Sequence, residues 1–156
     1  MSSSSSSNSK LLEINIPIPF TDQKPGTSGL RKSTKNFFQP HYLETFIEAT
    51  LQSLPGVVGG TLVLGGDGRF GNNKAIDLIL RMCAAHKLRR VITTKNGILS
   101  TPAASHLIRT HKAIGGIILS ASHNPGGLQG DFGVKINGSN GGPANETLTN
   151  KIFNCS

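Results

Sequence analysis

The 156-residue chain has no tryptophan, one tyrosine and only two cysteines. Cys83 lies within an apolar helical pattern and Cys155 near the C-terminal end, so they provide neither a disulfide framework nor a metal-binding motif. No run approaches the roughly 20 apolar residues that a membrane-spanning helix requires. The sequence therefore predicts neither a disulfide-stabilised scaffold nor a membrane span.

Acidic residues are also scarce, since eight Asp and Glu stand against sixteen Lys and Arg and leave a formal charge of +8. This balance favours anionic partners. Its sign alone does not choose among nucleic acid, an acidic membrane and phosphorylated metabolites. The basic residues are scattered, without a block of five or six like charges, and a phosphate-binding pocket needs only a few of them.

The N-terminal eight residues are nearly all serine. They lack the apolar run of a signal peptide and the arginines of a transit peptide. We expect residues 1–10 to form a disordered tail and residues 11–156 to form one domain with a hydrophobic core. A cytoplasmic location is the simplest expectation.

Apolar patterning predicts alternating strands and helices. Leu12, Ile14, Ile16 and Ile18 alternate with polar residues and proline, which indicates a half-buried strand confined to a sheet edge. A loop rich in glycine, serine and threonine follows. The remaining predicted elements are helices at 43–54, 76–88, 102–113 and 142–153 and strands at 61–64, 90–94, 116–120 and 131–137. This order predicts a layered α/β domain with a largely parallel sheet.

In such sheets ligands bind beyond the carboxyl ends of the strands. The segments that follow those ends are residues 65–70, 96–101 and 121–127, of which the last is the most unusual. The final helix has no following strand beside which to pack. We therefore expect the domain to be incomplete at its C-terminus.

Residues 120–127 read Ser-Ala-Ser-His-Asn-Pro-Gly-Gly. A serine at the end of a buried strand can expose its hydroxyl where backbone N–H groups face an anion. The residue types alone leave open a polar β-turn without chemistry. A Ser-His-Asp triad fits less well, because the adjacent Ser122 and His123 point to opposite sides of an extended segment and no Gly-x-Ser-x-Gly elbow is present.

The hexapeptide at residues 120–125 resembles the Thr/Ser-Ala-Ser-His-Asn-Pro signature of the α-D-phosphohexomutases, in which the second serine is phosphorylated. Similarity to the phosphoglucomutase branch runs from about Pro19 to Phe153. It includes Gln-Lys-Pro-Gly-Thr-Ser-Gly-Leu-Arg-Lys at 23–32, Asn-Gly-Ile-Leu-Ser-Thr-Pro at 96–102, Gly-Asp-Phe-Gly-Val-Lys-Ile-Asn at 130–137 and Asn-Gly-Gly-Pro at 140–143. The resemblance implies the first domain of the phosphohexomutase fold, a layered α/β/α domain with a mostly parallel mixed sheet.

The resemblance also implies a reaction. The family's phosphoserine gives its phosphate to glucose 1-phosphate or glucose 6-phosphate, and the resulting glucose 1,6-bisphosphate returns its other phosphate to the serine. Mg²⁺ is required, the bisphosphate is activator and intermediate, and the partners are small sugar phosphates. Such transfer needs an aligned acceptor and fixed positive charge around the moving group.

By the same resemblance, Ser122 is the phosphorylated donor and, through its phosphate, one ligand of Mg²⁺. His123 would contact the reacting groups and could shuttle a proton, since an imidazole titrates near neutral pH. Arg31 and Lys135 would hold the phosphoryl group, for which an arginine fork is well suited. Two further substrate-binding residues are implied in the loop of Arg31: Thr27 and Ser28.

The segment Asp-Gly-Arg-Phe at residues 67–70 superficially resembles a metal loop. One carboxylate cannot assemble an oxygen cage for a divalent cation, and the family's Mg²⁺ loop carries several aspartates in a second domain. We therefore interpret Asp67 and Arg69 as loop residues that follow a strand, and Cys83 as core packing.

Three functions are compatible with these patterns. The first is the phosphoserine domain of a sugar-phosphate mutase, expected to be inactive alone because the metal, sugar and distal phosphate loops belong to three further domains of the family. The second is a non-catalytic relative that serves as an interaction module. The third is a basic nucleic-acid module with steeply salt-dependent binding, which no groove-reading or aromatic-rich motif supports.

Overall fold

The structure is a computed structural model that describes residues 11–156, and the predicted N-terminal tail at 1–10 lies outside them. Five strands and five helices are formed within these residues. The strands are β1 (Leu30–Ser33), β2 (Thr61–Gly66), β3 (Arg90–Ile92), β4 (Gly115–Leu119) and β5 (Asp131–Gly138). The helices are α1 (Thr34–Phe37), α2 (Tyr42–Ser53), α3 (Asn72–Ala85), α4 (Thr101–Thr110) and α5 (Glu146–Cys155), with a 3₁₀ turn at Lys95–Gly97.

The five strands form one mixed sheet in the order β1-β5-β4-β2-β3. β2 pairs in parallel with both β3 and β4. β5 is antiparallel to both of its neighbours, β4 and β1. Four strands therefore point the same way and β5 alone is reversed, which confirms the predicted mostly parallel mixed sheet.

Helices cover both faces of this sheet. Leu62 and Leu64 of β2 contribute to a large core with the apolar residues of α2, α3 and α5. Val63, between them in sequence, belongs to a smaller core beneath α4. Side chains alternate between the faces of a strand, and a strand apolar on both faces is the signature of a covered parallel sheet. The predicted α/β/α layering is confirmed.

The N-terminal strand predicted between Leu12 and Ile18 is wrong. This segment has no strand geometry, and Leu12 and Ile18 are 84% and 78% exposed. Pro17 and Pro19 lack the N–H groups that a sheet ladder needs. Since these side chains gain no burial in the described fold, nothing offsets that loss.

The sheet edge is instead occupied by β1, within the segment expected to be a loop. Its residues pair antiparallel with β5, with Leu30 opposite Val134 and Arg31 opposite Gly133. Arg31, Lys32 and Ser33 give β1 no apolar alternation, so its strand conformation depends on its pairing with β5. This strand places a cation directly on the sheet.

The predicted helices are confirmed with shifted ends. α3 ends at Ala85 because Lys87 adopts a left-handed conformation, with φ of 58°. α5 begins at Glu146 rather than near residue 142, since the Ala144 N–H still donates to Ile136 O of β5. The Asn145 side chain then caps the helix by accepting from Leu148 N.

The topology fixes where a ligand can bind. β2, β3 and β4 are parallel, so the segments that follow their carboxyl ends meet at one edge of the sheet. The reversed strand β5 begins at that edge with Asp131. Within the described part of the chain, no helix has both the length and the apolar character to cross a membrane.

Candidate active site

Ser122 lies just beyond β4, where two cations meet its hydroxyl. Arg31 Nη2 donates a hydrogen bond to Ser122 Oγ at 2.9 Å. Lys135 Nζ donates to the same oxygen, also at 2.9 Å. The structure thus brings together three of the six residues that the sequence singled out, although they are separated by 91 and 13 positions.

The sheet register explains how the two cations converge. Arg31 of β1 lies opposite Gly133 of β5, and Lys135 follows two residues later, on the same face. Diagonal neighbours of this kind can contact a common group above the sheet. Position 133 must be glycine, because a Cβ there would lie 2.3 Å from Ser120 O. The missing side chain lets the backbone of residues 120–122 pass close to β5.

The backbone of Ser122 is in the left-handed region, with φ of 55°. For a residue other than glycine this conformation costs about 1–2 kcal/mol. Both of its peptide groups have partners. Its N–H donates to Ser120 Oγ at 3.0 Å, and its carbonyl accepts from Arg69 Nη2 at 3.2 Å. Local hydrogen bonds therefore hold the serine in the conformation that aims Oγ at the cations.

Arg69 was interpreted from sequence only as a loop residue, and its part in the site was missed. Its side chain is 8% exposed and is bound to the Asp67 carboxylate, with Nη2 2.8 Å from Oδ2. Nε contacts both carboxylate oxygens at 3.0 Å. Nη1 donates to Asp131 O at 2.8 Å. The signal available in the sequence was an Asp-x-Arg directly after a buried strand at the ligand-binding edge.

The loop after Ser122, residues 123–130, is hydrogen-bonded to the start of β5 and to α1. Asn124 Nδ2 donates to Asp131 Oδ2 at 2.7 Å, and Asp131 N donates to Pro125 O at 2.8 Å. Thr34 Oγ1 donates to Gly127 O at 2.8 Å. These hydrogen bonds hold the loop in one conformation, and a preorganised reacting group requires such support.

The electrostatics of the site favour an anion. Burial, together with the nearby charges of Arg31 and Arg69, lowers the pKa of Lys135, although Asp67 opposes this shift. Burial of Asp67 would raise its own pKa, but hydrogen bonds from Arg69 and Ser120 hold it below the usual range. Arg31 Nε is buried and finds no acceptor among residues 11–156. Nη2 of the same guanidinium donates to Ser122 Oγ.

The side chains of the other three predicted residues form no hydrogen bond with Ser122 in the described part of the chain. His123 is exposed, and its ring forms no hydrogen bond with another described residue. Thr27 and Ser28 are exposed at the tip of a turn that Gly26 and Gly29 close with two mutual backbone hydrogen bonds. This turn approaches the site, since a Cβ on Gly29 would lie 2.7 Å from the Cα of Lys135.

Comparison with known proteins identifies the fold. Residues 22–156 match the family described as phosphoglucomutase/phosphomannomutase, alpha/beta/alpha domain I. The phosphoglucomutase of Aspergillus fumigatus is 58% identical over 139 residues, which cover 88% of this chain and 25% of that protein. The cytoplasmic phosphoglucomutase of Solanum tuberosum is 54% identical over 143 residues, covering 86% of this chain and 24% of the relative.

A solved structure gives the same result. The Paramecium exocytosis-sensitive phosphoprotein pp63/parafusin, a phosphoglucomutase in an open form, matches with a TM-score of 0.86 at 43% identity. The match covers 90% of this chain and 26% of that chain. The chain thus spans about a quarter of the length of these relatives. The chain belongs to the phosphoglucomutase/phosphomannomutase family, of which it forms the α/β/α domain I.

Proposed function

We propose that this chain provides the phosphoserine domain of a phosphoglucomutase, which interconverts glucose 1-phosphate and glucose 6-phosphate through glucose 1,6-bisphosphate. The observation that carries the proposal is the hydroxyl of Ser122 between Arg31 and Lys135, each 2.9 Å from Oγ. The relatives named phosphoglucomutase support the same assignment.

In the proposed reaction Ser122 carries a phosphoryl group on Oγ. The P–Oγ bond breaks as a hydroxyl oxygen of the sugar phosphate forms a new bond to phosphorus and loses its proton. The bisphosphate then reverses its orientation in the site and transfers its other phosphoryl group to Oγ. The enzyme thereby regains its phosphate, and the sugar phosphate is isomerised. Little covalent help from the protein is needed beyond alignment and fixed positive charge.

Arg31 and Lys135 supply that charge. Bonded to Oγ in the unphosphorylated protein, they are placed to bind the oxygens of a phosphoryl group there and to stabilise the charge that develops during transfer. Lys135 is also the group positioned to protonate Oγ as the phosphoryl group departs. Its lowered pKa makes it a better acid for this step.

The exposed residues are assigned to the sugar phosphate. His123 adjoins Ser122 and faces solvent, where it can accept the proton of the attacking hydroxyl. Thr27 and Ser28, on the turn beside Lys135, would contact the substrate. A cytoplasmic location is part of the proposal, supported by the cytoplasmic enzyme of Solanum tuberosum.

For Mg²⁺ we propose only that this chain contributes one ligand. Among residues 11–156 no three His, Cys, Asp or Glu side chains come together as a metal site. Two carboxylates at this edge of the sheet already have partners, Asp67 in Arg69 and Asp131 in Asn124. These residues do not form a Mg²⁺ site by themselves, so the contribution proposed for this chain is a single oxygen of the Ser122 phosphate.

The test is transfer of labelled phosphate from glucose 1,6-bisphosphate to a protein in which this domain is joined to the three further domains of the family, since the domain alone is expected to be inactive. Peptide mapping then locates the label. We expect label on Ser122 and none in Ser122→Ala. Ser139→Ala, which removes an exposed hydroxyl from a turn, is the control and should be labelled as the wild type is. Label that persists in Ser122→Ala would refute the assignment, and an unlabelled wild type would favour a non-catalytic interaction module.

A further inference from the structure

We infer that Asp67, Arg69 and Ser120 form a positioning ring around the backbone of Ser122, and that phosphoryl transfer depends on this ring although none of its members holds the transferred group. The inference rests on the proposed function, because it assigns these residues a role in that reaction. Asp67 and Arg69 follow β2, and Ser120 directly follows β4.

Members of the ring hydrogen-bond both peptide groups of Ser122. The Ser122 N–H donates to Ser120 Oγ at 3.0 Å, and the Ser120 hydroxyl in turn stabilises the charged Asp67 carboxylate. The carboxylate binds Arg69, whose Nη2 returns to Ser122 O at 3.2 Å. Ser120 and the Asp67–Arg69 pair therefore hold the two peptide groups on either side of the Ser122 Cα.

The second feature is that Arg69 joins three segments of the chain at once. Its guanidinium contacts Asp67 after β2, Ser122 after β4 and Asp131 O at the start of β5. Lysine could not replace these contacts, because its donors radiate from one nitrogen and the guanidinium is a planar fork. An Asp–Arg pair on α3, Asp77 with Arg81, shows the contrast, since its side chains are 71% and 70% exposed.

Such a ring matters because of the conformation that it holds. Ser122 has a φ of 55°, which an L-residue seldom adopts without local support. If the ring opened, relaxation toward a negative φ would swing Oγ away from Arg31 and Lys135. Displacement of a reacting atom by 1 Å costs on the order of 100-fold in rate.

The first experiment compares Arg69→Lys with the matched control Arg81→Lys, both made in the multidomain protein used for the labelling test. We expect Arg69→Lys to slow phosphoryl transfer from glucose 1,6-bisphosphate by roughly 10- to 100-fold at saturating bisphosphate, with KM little changed. Arg81→Lys should transfer at the wild-type rate. Equal rates in the two variants, with both folded by circular dichroism, would overturn the inference.

Ser120 gives a second route that removes no charge and does not depend on the folding of the Arg69 variant. Ser120→Ala opens the ring and should slow transfer, whereas Ser120→Thr keeps the hydroxyl and should restore most of the rate. A Thr variant as slow as the Ala variant would count against the ring, because the hydroxyl would then not be what matters.

A crystal structure of Ser120→Ala or Arg69→Lys separates this inference from the proposed function. We expect Ser122 to leave the left-handed region and Oγ to move away from Arg31 and Lys135. Unchanged φ and distances would refute the ring whatever the rates. A wild type that accepts no label would refute both the proposed function and the ring's role in it. Equal labelling rates in the wild type and Arg69→Lys would refute only the ring.

Discussion

Lys135 combines two tasks that respond differently to pH. In the proposed reaction Lys135 would hold the phosphoryl oxygens as a cation and would protonate Ser122 Oγ as an acid. Burial and the charges of Arg31 and Arg69 lower its pKa in the folded protein, so the ammonium is lost at a lower pH than in an exposed lysine. A guanidinium at the same position would keep its charge throughout the accessible range.

Phosphoryl transfer should therefore decline on the alkaline side as Lys135 loses its proton, below the pH at which ordinary lysines titrate. Lys135→Arg should move this alkaline limb to higher pH while it lowers the maximal rate, because arginine holds phosphate and is a poor acid. Rates of label transfer across the pH range would show this. A limb that stays in place in Lys135→Arg would mean that another group titrates.

The site was only partly readable in the sequence. Ser122, Arg31 and Lys135 lie in segments that resemble the family, and the structure brings them within hydrogen-bonding distance. The role of Arg69 could not be predicted, because it depends on contacts with residues 53 and 62 positions away in the sequence. A loop arginine in a basic chain is ordinarily a solvated charge, and no periodicity reveals a guanidinium that bonds backbone carbonyls.

At the scale of elements, the buried strands were the most predictable. β2 and β4 are short, apolar on both faces and bounded by glycine, and the structure places them at the centre of the sheet. β1 could not be found in the same way, because three of its four residues are polar and its pairing with β5 spans about 100 residues. Conversely, the segment near Leu12 has the alternation of a strand, but Leu12 and Ile18 are exposed.

Two substitutions distinguish a true strand from that alternating segment. Ile18→Ser should change the free energy of unfolding by less than about 0.5 kcal/mol, since Ile18 is exposed. Ile117→Ala, in the fully buried β4, should cost about 2–5 kcal/mol. Urea denaturation of the two variants measures both. A large loss in Ile18→Ser would show that the N-terminal segment packs in solution.

At the scale of the whole molecule, the excess of positive charge makes the few carboxylates important. Asp22 bonds Lys32 and Tyr42, and although burial would raise its pKa, these partners lower it. Asp67 is lowered in the same way by Arg69 and Ser120. A carboxyl with a lowered folded pKa contributes stability above its unfolded pKa of about 3.9, and this contribution is lost as pH falls through the folded value.

We therefore expect acid to destabilise the protein through these two groups. Asp22→Asn should lower the urea midpoint at pH 7 and have little effect near pH 2, where the wild-type carboxyl is protonated. The loss at pH 7 should be below about 1 kcal/mol, since the Asp22 side chain is nearly half exposed and solvent screens its ion pair. An equal loss at both pH values would attribute the effect to packing rather than charge.

The reversed strand β5 has one more consequence. Its neighbour β1 lies about 4.8 Å away, as adjacent strands do, and the main-chain ladder prevents the anchors of Arg31 and Lys135 from moving apart. Under the proposed function this half of the site would select an anion by size and charge, because the separation between its two cation-bearing strands is set. Sulfate or vanadate should therefore compete for it as phosphate does, and we expect discrimination among hexoses to arise outside this pair of residues.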